Sequence, residues 1–243
     1  MPLGRRELKR MLNTFRFEAG NMLALRSRQI FAVVGGLVLL LAALITAFVP
    51  GLDQGNLSAA ILEAAVSVAG VYIPIMVILI FAGDWKSGVT HYTLLHFQNR
   101  KQVWVAKAVL SLTLALAATL VCLMLSFGLA AITGGLSSAS DQPWAYVLGV
   151  VPVFLYTALG MGLASVLLSP WAAILAFIVV TSIMDGLLGL LPGELASWIQ
   201  FSASVQNFTG SGALSLAGST ALVLWIVPLS ALGFRRYQRA DIG

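Results

Sequence analysis

The side chains able to do acid–base, nucleophilic or metal chemistry are few and poorly placed for it. The only two histidines, His91 and His96, share one polar run, and the single cysteine, Cys122, lies inside an apolar one. Haem ligation, a zinc cluster or a serine–histidine pair within an apolar interior would each need histidine or cysteine there. One cysteine also excludes a disulfide framework or a CxxC metal site, and Cys122 reads as a small buried or lipid-facing hydrophobe. No GxxxxGK followed by Ser or Thr occurs, so the chain has no phosphate loop with which to bind ATP. It is not expected to be an enzyme or to hold a cofactor, and if ATP and magnesium drive it they belong to a partner subunit.

Two carboxylates remain as candidates for a substrate path or gate. Asp185 stands in the run Ile183-Met184-Asp185-Gly186-Leu187-Leu188, where exposure to lipid would cost about 3 kcal/mol near a bilayer centre. It should face a bundle interior, a partner protomer or water. Glu63 stands at the outer start of another apolar run, where an interfacial position is the stronger explanation.

The elements that must position these residues follow from composition. With 59% hydrophobic and 9% charged residues, the chain falls far from a soluble domain, in which about a quarter of residues are charged. It reads as an all-α integral membrane protein, a single transmembrane domain over residues 1–243. The net charge of +5 is clustered beside apolar spans, a pattern that fits a membrane protein and not a nucleic-acid partner. Six spans are expected at about 30–49, 61–82, 105–133, 145–168, 172–191 and 216–234. Pro74 should kink the second, and Pro170 should separate the fourth from the fifth. The third is longer than one crossing needs, so it should tilt or project into the interface.

Residues 4–28 carry seven of the fourteen basic residues. Leu8, Leu12, Phe15, Ala19 and Met22 recur at helical spacing, with Arg5, Arg6, Lys9, Arg10 and Arg16 elsewhere. That predicts an amphipathic interfacial helix with its apolar stripe in the membrane and its cations near anionic lipid headgroups. Residues 192–213 are too polar to span and should rest on or re-enter the opposite, extracytoplasmic interface through Trp198, Ile199 and Phe201. Span 4 carries Ala158, Gly160, Gly162 and Ala164 at small-xxx-small spacing, suited to close helix contact within the bundle or across a dimer. All fourteen Lys and Arg residues map to one side of a six-span layout or its boundary, so that side should be cytoplasmic and hold both termini.

The one long polar run between spans, residues 84–104, has charged ends around a hydrophobic interior of Val89, Tyr92, Leu94, Leu95 and Phe97. Such a run suits a short amphipathic element able to meet a soluble partner. It also resembles the loop between the second and third spans of permease subunits of ABC-2 type transporters. In that pattern an acidic residue, three residues, Gly-Thr, a leucine-rich stretch, Pro, two residues, Arg, six residues and Lys follow in order. Asp84, Gly88, Leu94, Leu95, Arg100 and Lys107 match in register, whereas Val89 stands for the threonine and Phe97 for the proline. The ending Phe234-Arg235-Arg236-Tyr237-Gln238-Arg239 is similar to the family's basic tail.

The resemblance implies a permease subunit working with a second copy, as a homodimer or related heterodimer. Each half would dock one cytoplasmic ABC ATPase subunit, two copies in all, through this loop, and the pair would export a drug, lipid or peptide. Asp84, Arg100 and Lys107 would then fix the loop by charge pairs and headgroup contacts. Gly88 would permit a tight turn, and Tyr92, Leu94, Leu95 and Phe97 would anchor the ATPase. The rival readings are a secondary transporter or channel using Asp185, and a non-transporting membrane anchor or immunity subunit.

Overall fold

A computed structural model describes residues 13–20, 25–49, 57–86, 100–133, 143–188, 190, 198–211 and 216–239. Among these there is no strand, and six helices are long and apolar enough to cross a membrane. The chain is a multi-pass membrane protein. A helix at 13–20 precedes span 1, Arg26–Ala47. Span 2, Leu57–Phe81, is followed by the short helix Gly83–Lys86. Span 3 is Arg100–Thr133 and span 4 is Pro143–Leu167. Span 5 is built from Pro170–Ile178, a π-helical turn Val179–Met184 and a last helical turn Asp185–Leu188. A shorter helix, Phe201–Ser211, then leads to span 6, Leu216–Arg239.

Hydropathy places the spans well and their ends less well. Span 3 has 34 residues, roughly 50 Å of helix at 1.5 Å per residue, so it outreaches a 30 Å hydrocarbon layer and carries Arg100 and Lys101 on the excess. Span 6 continues as helix to Arg239, so the cations expected in a tail after residue 234 form the span's last turns. Between spans 4 and 5 the break falls where Pro170 requires it. Leu168 adopts a left-handed backbone with φ 53°, and Ser169 is extended at φ −126° and ψ 122°. The residue before a proline is pushed out of the helical region, and the proline then starts the next helix at a position where its missing N–H costs nothing.

Side-chain contacts assign the helix ends to two poles. At the basic pole meet the start of span 1 (Arg28), the end of span 2 (Asp84), the start of span 3 (Lys107), the end of span 4 (Ser165) and the end of span 6 (Phe234, Tyr237). Trp104 ties several of them together. Its Nε1 donates to Ser165 Oγ at 3.2 Å, and its ring meets Phe234 and Phe81 edge-on at 5.1 and 6.2 Å. At the opposite pole Ser126 Oγ donates to the Ser58 carbonyl at 2.6 Å, and Phe127 packs on Tyr146 at 4.9 Å. Consecutive spans therefore run up and down.

Span 4 packs most extensively against spans 2 and 6. Lipid tails are as apolar as leucine, so helices in a membrane associate through close packing and hydrogen bonds. The small residues of span 4 serve this within the chain. A Cβ on Gly160 would lie 3.0 Å from Pro74 Cβ and 3.2 Å from its carbonyl oxygen, and one on Gly233 of span 6 would lie 2.5 Å from Ser165 Cβ. Gly233→Leu should therefore destabilise the protein in detergent by about 1–3 kcal/mol through overpacking. Gly36→Leu, where a Cβ meets nothing within 4 Å, should leave the melting temperature nearly unchanged.

Candidate functional site: a buried charge clamp at the basic pole

The helix 13–20, whose apolar stripe is expected in the membrane interface, meets the bundle through a different face. Phe15 and Ala19 are half-buried, while the positions removed from solvent are Thr14 and Glu18, one turn apart. Leu8, Leu12 and Met22 lie outside the described residues. Glu18 on this face points at a set of charges with little access to water.

Asp84 is at the centre of that set. One carboxylate oxygen accepts from Arg28 of span 1 and the other from Lys107 of span 3, with side-chain exposures of 1% for Asp84, 8% for Arg28 and 1% for Lys107. Remaining donors reach backbone carbonyls at the end of span 2. Arg28 donates to Leu79 at 3.1 Å and Lys107 to Ile80 at 2.9 Å. Pro74, lower in the same span, leaves these carbonyls unaffected, so it is the helix end that supplies them. Glu18 Oε2 stands 3.7 Å from Lys107 Nζ. Four formal charges, two of each sign, thus join the N-terminal helix to the first three spans.

Two expectations for this loop change. Asp84 and Lys107 do form a charge pair, but their burial leaves neither able to meet headgroups. Arg100 at the loop's exit is half-buried and donates to the Gln238 carbonyl at 3.0 Å, joining the start of span 3 to the end of span 6. Trp85, beside Asp84, packs edge-on against Tyr237 of span 6 at 5.4 Å. Gly88, Tyr92, Leu94, Leu95 and Phe97 lie outside the described residues. The clamp therefore closes the base of the 84–107 segment from both sides. In the sequence Asp84 and Lys107 stand out only through the resemblance of the 84–107 run to the permease loop pattern. It gave no signal for Arg28 or Glu18, whose partners are 56 residues away in one case and on a third helix in the other.

The other two candidates lie toward the opposite pole. Glu63 is exposed on span 2 and lines a cavity, while Asp185 opens the last helical turn of span 5, directly after the π-helical turn. Only the backbone of Asp185 is described. Comparison with protein-family models and with curated proteins finds no match to this chain.

Burial pushes the Glu18 carboxyl above the ordinary glutamate range, with Asp84 adding to the shift and Lys107 and Arg28 opposing it. Among the described residues its Oε1 has no hydrogen-bond partner, in keeping with desolvation as the largest cause. A carboxyl raised in the docked helix holds its proton more tightly there than after release. Docking is then strongest below the ordinary glutamate range and weakens as pH rises through the raised value. Hydrogen exchange over residues 13–20, corrected for intrinsic rates, should show protection falling with pH across that window, and Glu18→Gln should remove the dependence. Asp84→Ala strands two buried cations and should cost about 3–5 kcal/mol in detergent unfolding.

Proposed function

We propose that the chain is the membrane permease subunit of an ATP-driven ABC transporter of the ABC-2 type. It lies in the cytoplasmic membrane with both termini on the cytoplasmic side, pairs with a second permease chain, and is energised by a separate ATP-binding subunit. The cargo is a hydrophobic or amphipathic compound moved outward. The side assignment rests on charge, since every described arginine and lysine belongs to the pole that carries the clamp.

The observation that carries the reading is the clamp itself. A segment that receives a push from a soluble motor transmits it only if its base is stiff. Here Asp84 at the entry and Lys107 past the exit are held to each other and to Arg28, and Arg100 is held to span 6. Movement of the loop would be passed to spans 1, 2, 3 and 6 together instead of being lost in bending at the loop's ends. The register of Asp84, Gly88, Leu94, Leu95, Arg100 and Lys107 supports the same reading independently.

The test is co-purification with a soluble phosphate-loop protein encoded beside this one, followed by substrate uptake into inverted vesicles. ATP-dependent uptake separates a permease from an anchor or a secondary transporter. Gly88→Trp should lower ATPase recovery about tenfold or more while the permease still inserts, as loss of a central interface contact does, and Arg100→Glu should lower it by releasing the loop's exit from the Gln238 carbonyl. Normal recovery with both variants would remove the loop from the docking role.

A further inference from the structure

Toward the pole opposite the clamp, the bundle forms a half-open cavity of about 670 Å³. That is within the range of sites that hold drug-sized molecules. Leu62 and Glu63 of span 2 form one wall, and Tyr156 of span 4 and Phe177 of span 5 form another. Helix Phe201–Ser211 contributes Val205.

These walls are positioned by specific contacts. The Tyr156 ring meets Phe177 edge-on at 6.3 Å and Phe201 at 5.5 Å, which fixes the aromatic side. Span 5 faces the cavity with its π-helical turn, a device found mostly at functional sites, and Ser202 Oγ donates to the Thr181 carbonyl in that turn at 2.9 Å. Within the 192–213 segment, expected to rest on or re-enter the interface, Phe201 and Val205 are buried in the bundle, and Val205 lines this site.

The charge of the cavity has one sign. Three carboxylate side chains are described, and two of them, Glu18 and Asp84, are committed to the clamp. The third, Glu63, is in the cavity wall, and no Lys or Arg lines it among the described residues. A carboxylate beside low-dielectric walls attracts a cation more strongly than one in bulk water, and aromatic faces add to the attraction.

We propose that this cavity binds an amphipathic organic cation, its charge at Glu63 and its apolar body against Tyr156 and Phe177. This specifies the cargo class of the permease reading and rests on that reading only for the claim that the bound molecule is moved; binding stands or falls separately.

The test uses the full chain in nanodiscs of uncharged lipid, with radiolabelled tetraphenylphosphonium as the probe and empty nanodiscs subtracted. Saturable binding is expected. Glu63→Gln should weaken it about fivefold, the worth of a partly solvated ion pair, and Glu63→Asp should retain it. Glu63→Lys should shift preference toward tetraphenylborate, the anion of the same shape. Ser182→Trp, at an exposed position lining the cavity, should block binding with the carboxylate intact. Absence of saturable binding, or equal affinity in the wild type and in Glu63→Lys, would overturn the proposal. Binding without ATP-driven uptake of the same cation would uphold the site and count against the transporter. ATP-driven uptake of a neutral compound by a chain that does not bind the cation would do the reverse.

Discussion

Asp84 is the constraint on which the basic pole depends. Removing an ion from water costs several kcal/mol even after relaxation, so Arg28 and Lys107 are tolerable in the bundle only because one carboxylate meets both and backbone carbonyls take their remaining donors. Apolar side chains of similar size could stabilise the same contact as well or better. What the ion cluster adds is register. Asp84 sits at the end of span 2 and its partners on spans 1 and 3, so the charges are satisfied together at only one alignment of the three helices.

Away from that pole the bundle is held by fit. With no hydrophobic gain between helices in lipid, the contacts that count are backbone approaches and buried hydrogen bonds, each worth about 0.6 kcal/mol on average. Gly160 lets span 4 reach the Pro74 backbone, and the same kind of fit operates at the basic pole, where Gly233 lets span 6 reach Ser165 of span 4. Trp225 of span 6 donates to the Ile199 carbonyl at 2.7 Å, which brings the segment before Phe201 against the bundle. A protein packed in this way has one rigid pole of charge and one pole where aromatic rings and a π-turn leave room for a guest.

The six spans were legible because twenty apolar residues have few alternatives in a chain so poor in charge, and the break at Ser169-Pro170 was legible because proline restricts both itself and its predecessor. The orientation of helix 13–20 was not. Its apolar positions pointed to the interface and said nothing of the opposite face, where Thr14 and Glu18 meet a cluster assembled from distant residues. The π-turn was hidden for a related reason. The β-branched run Val-Val-Thr-Ser-Ile-Met lowers helix propensity without specifying a π-turn, and the Thr181 carbonyl in that turn accepts from Ser202 of a later helix. Small residues in span 4 announced close contact without saying with what, and the partners are spans 2 and 6 of the same chain.

These two poles give a physical sense to a permease driven from one side. On the reading proposed above, work delivered to the loop would enter through the clamp and reach several spans at once, including span 2, whose far half carries Glu63 and the cavity wall. The most direct test is a double-mutant cycle across Asp84 and Lys107, with Asp84→Asn, Lys107→Met and the pair combined, read by unfolding in detergent. The account predicts strong coupling, on the order of 1–3 kcal/mol, with the double variant losing less than the sum of the singles. Additive losses would show that the two side chains do not share an interaction, and the clamp would cease to explain how the loop is held.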